Sequence, residues 1–575
     1  MIKLFKHLKP YTLSVAAILT LVFLQNLAEL YLPMLMSDIV DTGIVKGDIP
    51  YIWRTGGLML LFAAAGMACA ITASYLSAKT AVGFGKLLRD KVFARVESFS
   101  LHEFDKFGTS TLITRTTNDI TQIQSVTFII LRMMTMAPIM CIGGIIMAIS
   151  QDKELALIFV VSVPLLAGVI VGVFSKAMPL FRLMQLKIDK LNLVMREGLT
   201  GIRVIRAFNR TDSERRRFDE ANADLMQNAV KVNKVMATLM PFMMLIMNFT
   251  LIGIIWFGSV RINDQSMQIG SLMAFVQYSM MIMWSLFMAT MMFILIPRAS
   301  ASAVRIREVL DTIPEMEDPE KPIEITKNRG LLEFKDVTFS FPGAEQPALT
   351  NISFTAQLGQ VTAIIGGTGS GKSALVNLIP RFYDIKSGTI LVDRVDVRDM
   401  SQESLRMKIG LVPQKAILFT GTVADNIRFG KELASETEIK HAAEIAQATD
   451  FIISMQEGFD SVIEQGGINV SGGQKQRISI ARALVRKPDI YIFDDSFSAL
   501  DFKTDAQLRA ALRKETTEST VLIVAQRVAT IMDADQIIVL EDGQIAGIGN
   551  HKELMESCAV YREIVYSQLS EEELA

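Results

Sequence analysis

Six long apolar segments fall within the first 300 residues: Leu13–Met36, Gly57–Leu76, Met133–Ile149, Leu155–Phe174, Met236–Val260 and Gly270–Ile296. Each is about long enough to cross a ~30 Å hydrocarbon core as an α-helix. The polar stretches between them keep apolar residues at helical spacing, as in Leu191–Phe208, so the membrane helices are expected to continue well past the bilayer. A helical pattern runs from Arg298 to about Asp311. It gives way to Ile313–Gly330, a linker rich in charge and proline (Pro314, Pro319, Pro322). Beyond it the period changes. Short β runs at Leu331–Phe341, Gln360–Ile365, Thr389–Val392, Ile490–Phe493, Val521–Val524 and Gln536–Leu540 alternate with helical stretches, the pattern of an α/β domain. The expected architecture is a six-helix all-α transmembrane domain over residues 1–300, a linker over 301–330 and an α/β P-loop domain over 331–575.

Composition agrees with this division. Half of the 575 residues are hydrophobic, and the mean hydropathy is +0.34. The net charge of −2 gives no reason to expect a nucleic-acid partner. The distribution of basic residues is more informative. Residues 1–10 hold three Lys, 81–125 hold six Lys or Arg, and 182–234 hold twelve; the three intervening loops hold only Lys46 and Arg54, Lys153, and Arg261. The positive-inside rule then puts both termini and the two large loops in the cytoplasm of a multi-pass cell-membrane protein. The N-terminal residues, Ile2, Leu4, Phe5 and Leu8 interleaved with Lys3, Lys6 and Lys9, suggest a short amphipathic helix on the membrane surface. Cys69, Cys141 and Cys558 are too scattered for a disulfide framework or a metal cluster, and are expected to be buried thiols.

The chemistry is concentrated in the second half. Gly366-Gly367-Thr368-Gly369-Ser370-Gly371-Lys372-Ser373 fits the G-x-x-x-x-G-K-[ST] phosphate loop, between the run Val361–Ile365 and the periodic segment Ala374–Ile379. Its glycines let backbone N–H groups turn toward phosphates, and the helix N-terminus adds a favourable dipole. Lys372 is suited to the β- and γ-phosphates of ATP and Ser373 to Mg²⁺. Asp494 closes the run Ile490–Phe493, and a carboxylate at such a strand end is where Mg²⁺ is held in P-loop NTPases.

Between these two motifs lies Ser471-Gly472-Gly473-Gln474. A Ser-Gly-Gly-Gln segment ahead of a strand ending in Asp is the signature of ATP-binding cassette (ABC) proteins. With six preceding membrane helices, the whole chain resembles an ABC exporter half-transporter. The resemblance implies further assignments. Phe341 would stack on adenine, Gln414 would contact Mg²⁺ or the attacking water, and Ser498-Ala499-Leu500-Asp501 matches the D-loop. Phe107–Asp119 and Thr200–Phe208 resemble the first and second intracellular loops that dock on the ATPase.

Three positions depart from the family pattern. Asp495 stands where a catalytic Glu is usual, Gln526 where a switch His is usual, and Ala374 where a hydroxyl often touches the α-phosphate. The Asp carboxylate sits roughly 1 Å or more further back, and misplacement of that order costs ~10²-fold in rate. Gln526 cannot take a positive charge and so stabilises a transferring phosphoryl group less than His could. The site built on Lys372 is therefore expected to bind ATP and hydrolyse it slowly.

In this family the phosphate loop of one cassette faces the signature of another, so an intact signature beside a weakened site implies a heterodimer. The partner would supply its own loop, Glu and His. Two alternatives are a slow homodimeric exporter and an ATP-gated channel or signalling partner. The cargo is expected to be hydrophobic or amphipathic, multidrug-like or lipid-like. The last two membrane segments carry Met236, Met240, Met243, Met244 and Met247, then Met273, Met280, Met281, Met283, Met288, Met291 and Met292, with Trp284 and Phe293 among the interspersed aromatics and no charge. Asn26 and Glu29 lie one turn apart in the first segment, where Glu29 is suited to a cationic substrate or to a pair across a dimer.

Overall fold

In the computed structural model, residues 3–323 and 330–568 are described, apart from the side chains of 291–295 and 297. Met291, Met292 and Phe293 therefore lie outside the described side chains. The chain divides into two compact units. One comprises Met1–Glu97 and Thr109–Thr312, the other Ser98–Gly108 and Ile313–Ala575.

The first unit is all helix. Its long helical segments are α1 (Leu4–Ile44), α2 (Ile49–Glu97), α3 (Thr109–Gln151), α4 (Leu157–Thr200), α5 (Thr211–Asn263) and α6 (Ile269–Asp311). All six contain windows long and apolar enough to span a membrane. A 30 Å core needs only about 20 helical residues, and α2 has 49 and α4 has 44, so both run far beyond it. The N-terminal residues form a 3₁₀ helix (Leu4–Tyr11) with Leu4 buried and Phe5 against Phe84 of α2, ring centroids 6.3 Å apart. α3 contains two π-helical turns, Arg115–Asp119 and Ile130–Met134. Such turns insert a residue and re-aim side chains, frequently at functional sites.

Polar side chains tie the helices together. Tyr278 Oη of α6 donates to the Leu30 carbonyl of α1 at 2.9 Å. Towards the far end of α6, Arg305 Nε donates to Asp119 Oδ2 at 2.7 Å, Ser302 Oγ to Asp119 Oδ1 at 2.9 Å, and Arg115 Nη1 to Glu308 Oε2 at 2.8 Å. Of the expected buried thiols, only Cys558 is fully buried; Cys69 and Cys141 are half-buried, because their helices face outward there.

Among the described residues the second unit has three sheets. β1 (Leu332–Phe339), β2 (Leu349–Ala356), β4 (Ser387–Val392) and β5 (Val395–Asp396) form an antiparallel sheet in the order β2-β1-β4-β5. β3 (Val361–Gly366), β6 (Ile409–Val412), β9 (Ile490–Asp494), β10 (Thr520–Val524), β11 (Gln536–Glu541) and β12 (Gln544–Gly549) form the main sheet, in the order β12-β11-β3-β10-β9-β6. It is parallel apart from β12. A two-stranded ribbon joins β7 (Gly421–Thr422) and β8 (Val462–Ile463).

The main sheet is buried on both faces, which is why its strands read as continuous apolar runs. Ile364, Ile490, Ile492, Leu522, Val524, Ile538 and Leu540 pack toward the antiparallel sheet. Their alternates Ala363, Ile365, Tyr491, Phe493, Val521, Ile523, Ile537 and Val539 pack on the opposite, helix-covered side.

A short segment precedes α3. The piece grouped with the α/β unit is Ser98–Gly108, ahead of most of Phe107–Asp119, whereas Thr109–Asp119 belongs to the helical unit. Its short helix Leu101–Phe107 opens with a Ser100/Glu103 capping box. Glu103 Oε1 also accepts the Glu315 backbone N–H at 3.0 Å. Burial pushes the Glu103 carboxyl up, but hydrogen bonds from Ser100 and Glu315 outweigh it and hold the group below the usual carboxylate range.

Candidate active site

Four neighbouring parallel strands, β3, β10, β9 and β6, end on one edge of the main sheet. The crevice at the carboxyl ends of such strands is where open α/β sheets bind ligands. The phosphate loop follows β3, Asp494 and Asp495 follow β9, Gln526 follows β10, and Gln414 follows β6. Strand order thus gathers residues that lie 160 positions apart in the chain, from Gly366 to Gln526.

The loop Gly366–Ser373 leads into the helix Lys372–Leu378. Gly371 has φ +98°, and a Cβ there would sit 2.9 Å from the Ala348 carbonyl oxygen and 2.7 Å from Leu349 Cδ2. At Gly366 a Cβ would meet the Leu540 carbonyl oxygen at 2.2 Å. Both positions exclude a side chain. We expect Gly371→Ala to cost about 1–3 kcal/mol of backbone strain, read as a lower Tm together with weakened nucleotide binding; an unchanged Tm and affinity would show that the loop relaxes freely.

Lys372 Nζ donates to Gly366 O at 2.8 Å and to Gly367 O at 2.7 Å, so its ammonium spans the loop. Burial lowers its pKa, against the opposing pull of Asp495 and Asp494. Ser373 hydrogen-bonds Asp494, whose carboxyl is pushed above the usual range by burial first and by the Asp495 charge second. Thr368, Gly369 (φ +86°) and Ser370 complete the turn, with Ser370 N donating to Gly367 O at 3.3 Å. Phe341 follows β1; its ring is 41% exposed and stands edge-on to Phe339 and Tyr383, with centroids 4.9 and 5.5 Å away.

Asp495 is the centre of a cluster that the sequence does not reveal. Its backbone is left-handed, with φ +46°, and its N–H donates to the Val524 carbonyl at 3.0 Å. Its Oδ2 accepts Gln526 Nε2 at 2.9 Å and Gln414 Nε2 at 3.3 Å. Two amides from two strand ends thus converge on one carboxylate oxygen. Ser498 Oγ donates to the Asp495 carbonyl at 2.9 Å.

Ser471–Gln474 lie elsewhere. They open the helix Gly472–Leu484 with a capping box, in which Gln474 Oε1 accepts Ser471 N at 2.8 Å and Ser471 Oγ accepts Gln474 N at 3.3 Å. Among the described residues no hydrogen bond joins them to the phosphate loop of the same chain. A Cβ on Gly472 would meet nothing within 4 Å.

Comparison with known proteins now bears on these motifs. Residues 15–286 match the model of the ABC transporter transmembrane region, and residues 349–498 that of the ABC transporter family. An uncharacterized ABC transporter ATP-binding protein of Mycobacterium tuberculosis is 44% identical over 567 residues, 98% of this chain and 97% of that one. The protein YfiB of Bacillus subtilis, similarly described, is 40% identical over 99% of both chains. An ATP-dependent lipid A-core flippase of Syntrophus aciditrophicus is 33% identical over 85% of this chain and 81% of its own. Among solved structures, that of a bacterial Atm1-family ABC exporter with ATP bound superposes with a TM-score of 0.81 at 26% identity, covering 97% of this chain and 98% of the other. ABC exporters act as dimers whose ATP hydrolysis is coupled to transport. Matches of this extent place the chain in the ABC transporter family, as a multi-pass half-transporter that carries an exporter's transmembrane region and its ATPase on one polypeptide.

Proposed function

We propose that this chain is the degenerate-site subunit of a heterodimeric exporter: its own ATP site holds ATP and turns it over slowly, and a second half-transporter supplies the working site. The observation that carries the reading is the Gln414–Asp495–Gln526 cluster. A general base must present a free carboxylate oxygen to the water it polarises. Here Asp495 is short by one methylene, and the amides of Gln414 and Gln526 hold its carboxylate through Oδ2, which leaves only Oδ1 for a water. Gln526 brings no charge that could stabilise the transferring phosphoryl group.

The binding parts are intact. Phe341 offers its exposed ring to adenine, the backbone of Gly366–Gly371 turns around the phosphates, and Lys372 supplies positive charge. Ser373, Asp494 and Gln414 would hold Mg²⁺. The fit is supported by Asp494, whose carboxyl is pushed above the usual range by burial and by the Asp495 charge even with Lys372 nearby. When bound, Mg²⁺ neutralises charge on the phosphate oxygens.

The signature of this chain serves the partner. Ser471–Gln474 are held in helical geometry by their capping box, and the Gly472 face is open to a second cassette. Phe208 and Leu199, flanking the short helix Ile202–Ala207, are exposed (74% and 70%), as expected of a loop that docks on a partner's ATPase. The loop charges support a cytoplasmic location for both termini and the ATPase, in a cell-membrane protein. The cargo is hydrophobic or amphipathic, multidrug-like or lipid-like. Relatives from Syntrophus aciditrophicus and Vibrio parahaemolyticus bear the name lipid A-core flippase, which supports the lipid-like end of that range. ATP closes the cassettes and the membrane helices alternate between inward- and outward-facing states.

The test is composition and ATPase rate of the tagged chain, purified alone and after co-expression with a half-transporter that carries the Glu and His. We expect a one-to-one complex, with ATPase only in that complex. An active dimer of this chain alone would make Asp495 and Gln526 a working variant, and the asymmetry would be lost.

A further inference from the structure

A cavity of about 630 Å³ lies within the helical unit, walled by α1, α3 and α6. Its lining is apolar, with Met136, Met280, Met288 and Trp284 prominent, yet it contains two charges, Glu29 from α1 and Arg132 from α3. Arg132 sits on the π-helical turn Ile130–Met134, which re-aims the α3 side chains. Each charge has a neutral partner: Gln25 Nε2 donates to Glu29 Oε1 at 2.9 Å, and Arg132 Nη1 donates to the Ala70 carbonyl at 2.8 Å. No ion pair joins either to an opposite charge among the described residues. Charges within membrane helices are costly and mark substrate pathways or pairing partners. One carboxylate oxygen and the remaining guanidinium N–H groups are left over, in one cavity, separated but not neutralising each other.

Building on the exporter reading above, we propose that this cavity selects zwitterionic amphiphiles. The ammonium of the cargo meets Glu29, its phosphate or carboxylate meets Arg132, and its apolar body lies against the methionines and Trp284. Thioethers adapt to varied apolar shapes, so the charge pair sets the head group and leaves the tail loosely specified. A bidentate guanidinium suits either anion. Two sources share this chemistry, a membrane lipid head group and a soluble amphoteric compound.

The experiment measures stimulation of ATPase by the complete transporter in nanodiscs. Four probes are compared: a short-chain phosphatidylcholine, an amphoteric aromatic compound bearing one amine and one carboxylate, an alkyl trimethylammonium and an alkyl phosphate. We expect the zwitterions to act at lower concentration than either singly charged probe, and the lipid and the soluble zwitterion to be ranked by source. Glu29→Gln should raise the half-maximal concentration about tenfold for zwitterions and cation but not for the anion, a discrimination worth about 1.4 kcal/mol. Arg132→Gln should do so for zwitterions and anion but not for the cation. Glu29→Asp and Arg132→Lys, which keep the charges, should retain the wild-type order and cover the case in which a neutral variant folds poorly. The proposal is overturned if the variants shift all probes alike, or if Glu29→Gln dissociates the complex, which would make Glu29 a subunit pairing residue. If no probe stimulates the wild type while its basal ATPase persists, the amphiphile-exporter reading itself is wrong, and this inference falls with it.

Discussion

Gly472→Asp in this chain should lower ATPase of the assembled transporter by about 10²-fold or more, on the scale of losing a positioned group from a phosphoryl-transfer site. The argument rests on what the substitution leaves alone. A Cβ at Gly472 meets nothing within 4 Å in its own chain. An acidic residue in the first turn of the helix Gly472–Leu484 is favourable for that helix. The fold should therefore accept it, with Tm unchanged. The new carboxylate would instead point at the triphosphate held by a second cassette, where like charges repel. Lys372→Ala is the internal comparison. It strips the charge from this chain's own site, which on the proposed reading turns over slowly, so the rate should fall only in part. A Gly472→Asp transporter that hydrolyses ATP at the wild-type rate would rule out the composite site.

The second large effect is an asymmetry between two carboxylates. Asp495→Asn should change turnover by less than about threefold, under ~0.7 kcal/mol of barrier. Removing the partner's Glu should cost ~10²-fold or more. Asp495 already spends its Oδ2 on the amides of Gln526 and Gln414. Asn keeps an acceptor of the same length for one of them, so little is lost. Equal losses at the two positions would make Asp495 a catalytic base.

Much of the fold was legible because its elements are long or strongly patterned. The six apolar runs needed only length and hydropathy. The central strands announced themselves because both faces of the main sheet are buried, giving runs such as Ile490–Phe493. β6, only four residues long, was not among the expected runs although it is buried, and β2 and β12 were missed for the opposite reason. Leu349–Ala356 alternates buried and exposed residues over a polar background, and Gln544–Gly549 is an edge strand with two glycines.

In the site, local chemistry identified the residues but not their contacts. The phosphate loop is contiguous and could be read directly. The convergence of Gln414 and Gln526 on Asp495 depends on strand order β6-β9-β10, which no local pattern encodes. The left-handed backbone of Asp495 has no signal in a side chain as common as Asp. Arg132 sits at the border of an apolar run, and only the packing of α1, α3 and α6 shows that it lines a cavity.

The segment Ser98–Gly108 has a consequence for how the protein is made and handled. The α/β unit is discontinuous: the chain crosses between the two units at Glu97/Ser98, Gly108/Thr109 and Thr312/Ile313. A fragment starting at Ile313 would lack the carboxylate that accepts the Glu315 N–H. On the ribosome, the first piece of the ATPase emerges some two hundred residues before the rest, and must wait for it. An isolated cassette should be supplied with residues 98–108 if it is to be compared with the whole chain.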